Sequence, residues 1–490
     1  MPTNARSRKS SASRSGSPKK KTGSRGGAKS RASKAPKITN YREAQEWLFD
    51  RVDVEMTRPS RVTPDAFKLD RIRKLMHALG DPQDTLQIAH IAGTNGKGSV
   101  SAMVSACLRG CGCAVGVYSS PHLTDLRERI QINGQVISHP RFVDGMRRLA
   151  EAADKIPAKW GTPTFFELMT ALALLDFAEQ AVDVAIVEVG LGGRLEATNI
   201  VKPAVTAVTQ IGRDHESFLG ETLGDIAREK GGIFKSGVPA ITFKQPGEVI
   251  ESLKKCAEEA GTSLSIVGKD IEFSCRFEST PRFGPQTRVG VFAEHSEFEH
   301  VPVPLHGEHQ AWNCGLALAI VDRLRGSGFE LDDQKIMEGL ASTELPGRME
   351  LIRKEPRVYV DGAHNPQALA ALVRSIGAYV TYDSMITIYG CSADKDVEEC
   401  LRQISVGADK LIFTRAKGNP RAADPNDLAR RFAEVSGKMC QVAETLEDAV
   451  SIALRGASRD DVICITGSFY LAGEAKKLAA KSAAARAAHG

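Results

Sequence analysis

The chain has 490 residues, 42% hydrophobic and 26% charged, enough for two or three globular domains with sizeable cores. No apolar run reaches the ~18 residues that a membrane span needs, and no charged start followed by an apolar stretch marks an export signal, so membrane and secreted classes are excluded and a cytoplasmic protein is expected. The net charge of +5 misleads: residues 1–37 hold twelve Lys/Arg and no Asp or Glu, and the remaining 53 basic and 60 acidic residues leave the body near −7.

Residues 1–38 read as a disordered basic tail, rich in Ser, Lys, Arg and Gly with almost nothing apolar to bury. A solvated arm is expected; the alternatives are a nucleic-acid contact through Ser17-Pro18-Lys19-Lys20 and an Arg/Ser-rich, acid-free transit peptide, which here lacks the leucines and aromatics of an amphipathic helix. From Tyr41 the composition turns globular. Tyr41, Ala44, Trp47 and Leu48 mark a short amphipathic helix, and Phe67, Leu69, Ile72, Leu75, Met76 and Leu79 mark another, stopped by Gly80. Leu86–Ala92 is an apolar strand, followed by Gly93-Thr94-Asn95-Gly96-Lys97-Gly98-Ser99 and then Val100, Met103, Val104, Cys107 and Leu108 at helical spacing. Strand, glycine loop, helix suits a nucleotide phosphate: backbone amides can approach the oxygens, the helix N-terminus favours negative charge, and Lys97 adds a point charge. The loop departs from GxxxxGKS/T, since Ile91 stands at the first glycine and Gly98 separates Lys97 from Ser99.

Ala114–Tyr118 is a second short strand, ending in the loop Ser119–Leu123, and Arg127–Val136 carries Asn133-Gly134, a hairpin signal. Phe165–Ala178 is an apolar helix. Val182–Val189 is a strand with Asp183 at its start, read as structural, and Glu188 at its carboxyl end, where P-loop enzymes keep an acid for Mg²⁺. Ala204–Thr209 is a strand running towards Asp214-His215, Thr222–Lys230 a helix and Val238–Phe243 a strand. His215 could be a metal ligand through neutral imidazole, or structural. Lys230 alone reads as a solvated helix residue. Residues 264–304 change character, with β-like stretches around Arg288–Phe292.

Helices follow at Gln310–Leu324 and Gln334–Leu340. Near Pro346 the alternation restarts, with strands at Arg357–Val360, Met385–Tyr389, Lys410–Phe413 and Val462–Ile465, and helices at Asn365–Ile376, Val397–Ile404 and Pro425–Val435. Asp361–Pro366 offers an acid, an imidazole and helix N-terminal amides, or simple turn chemistry with Pro at a helix start. The ten cysteines contain no CxxC pair and read as reduced thiols. The expected fold is α/β: an N-terminal, P-loop-type, mainly parallel sheet domain over 39–344 and a smaller Rossmann-like α/β domain over 345–490.

Ten motifs in order carry a resemblance: HIAGTNGKGSV (90–100), YSSPHL (118–123), TFFE (164–167), VEVGLGGRLEATN (187–199), DH (214–215), REKGGI (228–233), GEHQAWN (307–313), GRME (347–350), DGAHNP (361–366) and ADKD (393–396). The chain resembles the folylpolyglutamate synthase/dihydrofolate synthase family of the Mur-ligase superfamily. The resemblance implies an ATP-dependent ligase that adds L-glutamate to a folate or to dihydropteroate through an acyl phosphate, using two Mg²⁺ ions. It implies ATP contacts at Thr94, Asn95, Gly96, Lys97, Gly98, Ser99, Asn313, Arg348 and Asp361, and Mg²⁺ ligands at Ser120, Glu188 and His215. Lys230 matches a carbamylated lysine serving the second metal. Thr164, Phe165, Phe166, Glu167, Leu195, Glu196 and Ala197 match positions near the pterin. His364 and Asn365, with Lys395 and Asp396, would line the side where glutamate enters. Lys97, His364 and Lys230 would be catalytic, and a monomer without membrane or nucleic-acid partners is implied. Glu196 stands where Asp is commoner, Arg213 where an apolar residue is usual and Gly231 where Ala is usual. The alternatives are a related ligase acting on a cell-wall precursor and an ATP-binding regulator using the basic tail.

Overall fold

Continuous apolar strands buried on both faces need helices on either side. The computed structural model, which describes residues 37–53, 69–280 and 284–487, meets that need twice. The first sheet holds β1 (Ile88–Ala92), β2 (Val115–Tyr118), β3 (Ile130–Ile132), β4 (Gln135–Val136), β5 (Val184–Glu188), β6 (Val205–Val208), β7 (Ala240–Phe243) and β8 (Leu264–Val267). Its order is β4-β3-β2-β5-β1-β6-β7-β8, parallel from β2 to β8, with β3 and β4 antiparallel at one edge. Side chains alternate along β1 and β5. Ala89, Ile91, Val184 and Ile186 pack with helices Lys97–Gly110 and Glu308–Gly326, while Ile88, Ala185 and Val187 pack with His139–Ala153 and Phe165–Glu179. Phe165–Glu179 is apolar nearly all round and almost wholly buried, as a helix between two layers must be.

β9 (Glu272–Thr280), β10 (Gly284–Phe292) and β11 (Glu297–Pro302) form an antiparallel meander. Its inner residues Val289, Val291, Phe298 and Val301 share the core of the helix Glu308–Gly326. The second sheet, β12 (Glu350–Lys354), β13 (Arg357–Val360), β14 (Met385–Tyr389), β15 (Lys410–Phe413), β16 (Gln441–Val442) and β17 (Val462–Thr466), has the order β12-β13-β17-β14-β15-β16 and is parallel except at β12.

Most expected elements appear, with ends moved by a few residues. Asn133 and Gly134 both take positive φ, as a tight hairpin turn requires, and Asp183 accepts the Ala114 amide at 2.7 Å, a structural role at the strand's start. The expected helix around Phe67 is Leu69–Ala78; Phe67 and the basic tail to residue 36 lie outside the described residues. All ten cysteines are free thiols. No described helix is long and apolar enough to cross a membrane.

Candidate active site

In an open α/β sheet, ligands sit beyond the carboxyl ends of the strands, where neighbouring strands connect in opposite directions. β1 is such a strand: its neighbours are β5 and β6. The loops after β1, β2, β5 and β6 line a cavity of about 690 Å³, and its opposite wall comes from the loops after β13, β14 and β17. Two sets of strand ends therefore face one another.

The glycine loop is shaped by what presses on it. A Cβ on Gly93 (φ +149°) would lie 1.8 Å from Thr209 Oγ1, and one on Gly96 (φ +93°) 2.5 Å from Asn313 Oδ1. Only glycine fits at either position. The Thr94 and Asn95 amides donate to the Gln210 carbonyl, and the Thr94 hydroxyl donates to the Gly212 carbonyl. The helix starts at Lys97, so the amides of Lys97, Gly98 and Ser99 have no acceptor one turn back. Lys97 Nζ donates to the Gly93 carbonyl at 3.0 Å and lies 4.0 Å from Glu188 Oε1.

Glu188 is buried and its Oε2 has no hydrogen-bond partner. Burial pushes its carboxyl up to about 7, with Lys97, Arg348 and the Ser120 amide pulling the other way. Lys230 is also buried; its Nζ donates to the Leu191 carbonyl at 2.7 Å. Burial, and next Lys97, push it down to about 7, so much of it is neutral amine at neutral pH. Desolvation also holds His215 well below 6.5, leaving a neutral imidazole. Among the described residues, no three His, Cys, Asp or Glu side chains gather as a metal cage.

The second wall is differently made. Asp361 accepts from the Met349 and Ala363 amides at 2.8 and 2.7 Å, and Arg348 lies over the Phe469 ring with its guanidinium 3.9 Å from Asp361. His364 Nδ1 donates to the Gly362 carbonyl, which fixes the ring. Asn365 caps the helix Pro366–Tyr379 and reaches Asn95 Oδ1 at 2.9 Å. Asn313, under Gly96, donates to Gln310.

The residues matched to the pterin region divide. Thr164, Phe166, Leu195 and Ala197 line the cavity, Leu195 with 42% exposure. Phe165 is in the core, stacked on Phe49, and does not line the cavity. Glu167 borders the cavity, but its carboxylate closes a capping box with Thr164 and pairs with Arg71. Glu196 also lines the cavity, and its oxygens accept from the Gly190 and Leu191 amides and from Thr198, which shapes the loop. Asp396 is an exposed helix cap away from the cavity. Sequence reasoning missed Asp214 as a meeting point for both walls, and Arg421 and Ser392 as cavity residues. The Asp-His pair was the available signal for the first; the last two follow no motif.

A family model of the Mur ligase middle domain matches residues 91–321, and one of the Mur ligase glutamate ligase domain matches residues 347–469. The dihydrofolate synthase/folylpolyglutamate synthase of Mycobacterium tuberculosis is 35% identical over 468 residues, covering 89% of this chain and 92% of that one. The chain belongs to the dihydrofolate synthase/folylpolyglutamate synthase family. A probable bifunctional folylpolyglutamate synthase/dihydropteroate synthase of Haloferax volcanii is 34% identical over 443 residues, 89% of this chain, and the chain spans about half (50%) of that relative's length. Among solved structures, M. tuberculosis folylpolyglutamate synthase complexed with ADP superposes with a TM-score of 0.81 at 33% identity, covering 90% of this chain and 98% of that one. E. coli FolC in complex with DHPP and ADP gives 0.77 at 29% identity, covering 92% and 99%. The two family models fall one on the residues of each large sheet.

Proposed function

We propose that the chain is an ATP-dependent amide ligase that adds L-glutamate to folate polyglutamates and to dihydropteroate, acting in the cytoplasm as a monomer. The lobe over 39–344 holds ATP and the pterin, and the lobe over 345–490 closes on them. The observation that carries this reading is the buried Glu188, with an unpartnered oxygen, beside Lys97 at the head of the glycine loop and opposite a second wall of strand ends. The relatives support the substrates: their solved structures hold ADP, and in one case DHPP.

A carboxylate does not react with an amine at neutral pH, because oxide is a poor leaving group. Phosphoryl transfer from ATP to the substrate carboxylate makes an acyl phosphate and releases ADP. The glutamate amine then attacks the acyl carbon, and phosphate leaves with one of the carboxylate's oxygens. Catalysis is mainly positioning and charge neutralisation. Lys97 and the amides from Gly96 to Ser99 cradle the phosphates, with Thr94 and Asn95 fixing the loop. Asn313, Arg348 and Asp361 border the nucleotide. Phe166 and Leu195 offer apolar surface to the pterin, framed by Thr164 and Ala197. His364, its Nδ1 tied to the Gly362 carbonyl and its Nε2 facing Asp214, lines the side where glutamate enters, and Asn365 holds its loop against Asn95.

The donor set fits Mg²⁺, which binds through few protein oxygens and takes the rest from phosphate and water. Ser120 and Glu188 would hold one ion. Glu188, His215 and Lys230 would hold the second, given a carbamate on Lys230, whose neutral amine is the form that adds CO₂. The metal supplies neutralisation of phosphate charge. The test is ADP release by the purified full chain with ATP, Mg²⁺, glutamate and either dihydropteroate or a tetrahydrofolate. Release is expected only when glutamate and one pterin are both present; release indifferent to glutamate would refute the reading.

A further inference from the structure

Asp214 stands at the end of the loop after β6, on the first lobe, and is buried at its side chain to 6% exposure. Three residues of the second lobe converge on its carboxylate. Lys395 Nζ donates to Oδ1, His364 Nε2 lies 3.4 Å from Oδ2, and Asn365 Nδ2 donates to Oδ2 at 3.4 Å. The same Oδ1 accepts the amide of His215, whose φ of +53° is a strained value for a non-glycine residue. A buried charge needs partners, and this one draws its cation from the opposite lobe. Other polar bridges between the lobes among the described residues, from Asn95 to Asn365 and Gln367 and from Thr287 to Tyr379, join neutral groups.

We propose that Asp214 is a positioning residue: it latches the second lobe onto the first by taking Lys395, His364 and Asn365 on one carboxylate, and through the His215 amide it makes lobe closure and the setting of the His215 ring a single event. Opening the lobes would strip Asp214 of its cation. Conversely, losing Asp214 would leave Lys395 facing the cavity unpaired and let His364 turn about its remaining bond. The latch itself stands on the contacts; only the consequence for His215 rests on the ligase reading.

The test measures lobe separation directly and needs no turnover. Nitroxide labels are placed on keto amino acids introduced at Lys202 and Val406, both about 80% exposed (80% and 79%) and on different lobes, avoiding the native thiols. Pulsed electron resonance distances are then read for the parent protein, Asp214→Asn, Lys395→Met and Lys395→Arg, each with a circular-dichroism spectrum as a control of fold. The latch predicts one narrow, short distance for the parent and Lys395→Arg, and a broad, longer distribution for Asp214→Asn and Lys395→Met. Lys395→Met approaches the bridge from the other lobe, so it decides the matter if Asp214→Asn fails to fold. Coincident distributions for parent and Lys395→Met would overturn the proposal. In the ligase assay, Asp214→Asn should lower kcat/KM by on the order of 30-fold, with Lys395→Arg restoring more than Lys395→Met. A shifted distance distribution without any ligase activity in the parent would refute the ligase reading and leave the latch.

Discussion

Two pairs of buried polar residues, Glu188 with Lys230 on the first wall and Asp361 with Asn365 on the second, are partnered in opposite ways. On the first wall Glu188 and Lys230 are under-paired. Glu188 has an oxygen with no partner, and Lys230 Nζ donates to a single carbonyl. On the second wall Asp361 and Asn365 are satisfied, Asp361 holding two amides and Asn365 capping a helix. Under-paired groups shift their proton equilibria and wait for a ligand; satisfied groups hold shape. The difference predicts opposite responses to substitution at Glu188 and at Asp361.

The largest effect is expected from Lys97→Ala, which removes the point charge at the phosphates. ADP formation should fall by about 10³-fold or more, with an unchanged circular-dichroism spectrum; substantial turnover would remove Lys97 from the site. Glu188→Gln keeps shape and removes the under-paired charge. Activity should fall by about 10²-fold while urea unfolding shows equal or greater stability, because a buried, poorly paired charge is lost. A marked loss of stability would mean Glu188 is structural. On the other wall, Asp361→Ala strands two amides and should cost about 3 kcal/mol in chemical denaturation; no change in stability would erase the contrast.

A smaller effect comes from the floor of the first sheet. His90 on β1 is fully buried, bonded at Nε2 to Thr198, and desolvation pushes it from 6.5 to about 3. Its folded-state pKa is therefore below the unfolded value. The unfolded chain binds a proton between those values and the folded chain does not, so stability is full above pH 6.5 and falls as the pH drops towards 3. From pH 7 to pH 5 the loss attributable to His90 should be about 2 kcal/mol, read from urea midpoints. His90→Gln should flatten that slope, and a slope equal to the parent's would contradict it.

The sequence carries much of this unevenly. The glycine loop, β5 with Glu188, and the strands of the second sheet are legible because apolar runs end at turn residues, and that local pattern decides both element and edge. The meander is only partly legible, since β9 is exposed on both faces and shows no alternation. The last helix, Phe469–Ala487, is Ala- and Lys-rich with little amphipathic signal beyond Leu471, Ala472 and Ala475. Glu196 and Phe165 match a substrate motif, yet one is spent on loop amides and the other lies in the core; a motif cannot tell a residue that touches a ligand from one that holds its neighbour. Asp214 is hardest to read, because its partners His364 and Lys395 lie 150 and 181 residues away.

The central claim is the formation of an acyl phosphate between the two walls. It is tested by supplying dihydropteroate with its reacting carboxylate labelled with ¹⁸O, together with ATP, Mg²⁺ and glutamate, and analysing the released inorganic phosphate by mass spectrometry. One ¹⁸O per phosphate released is the predicted result. Unlabelled phosphate, with both labels retained in unreacted substrate or lost to water, would contradict the account.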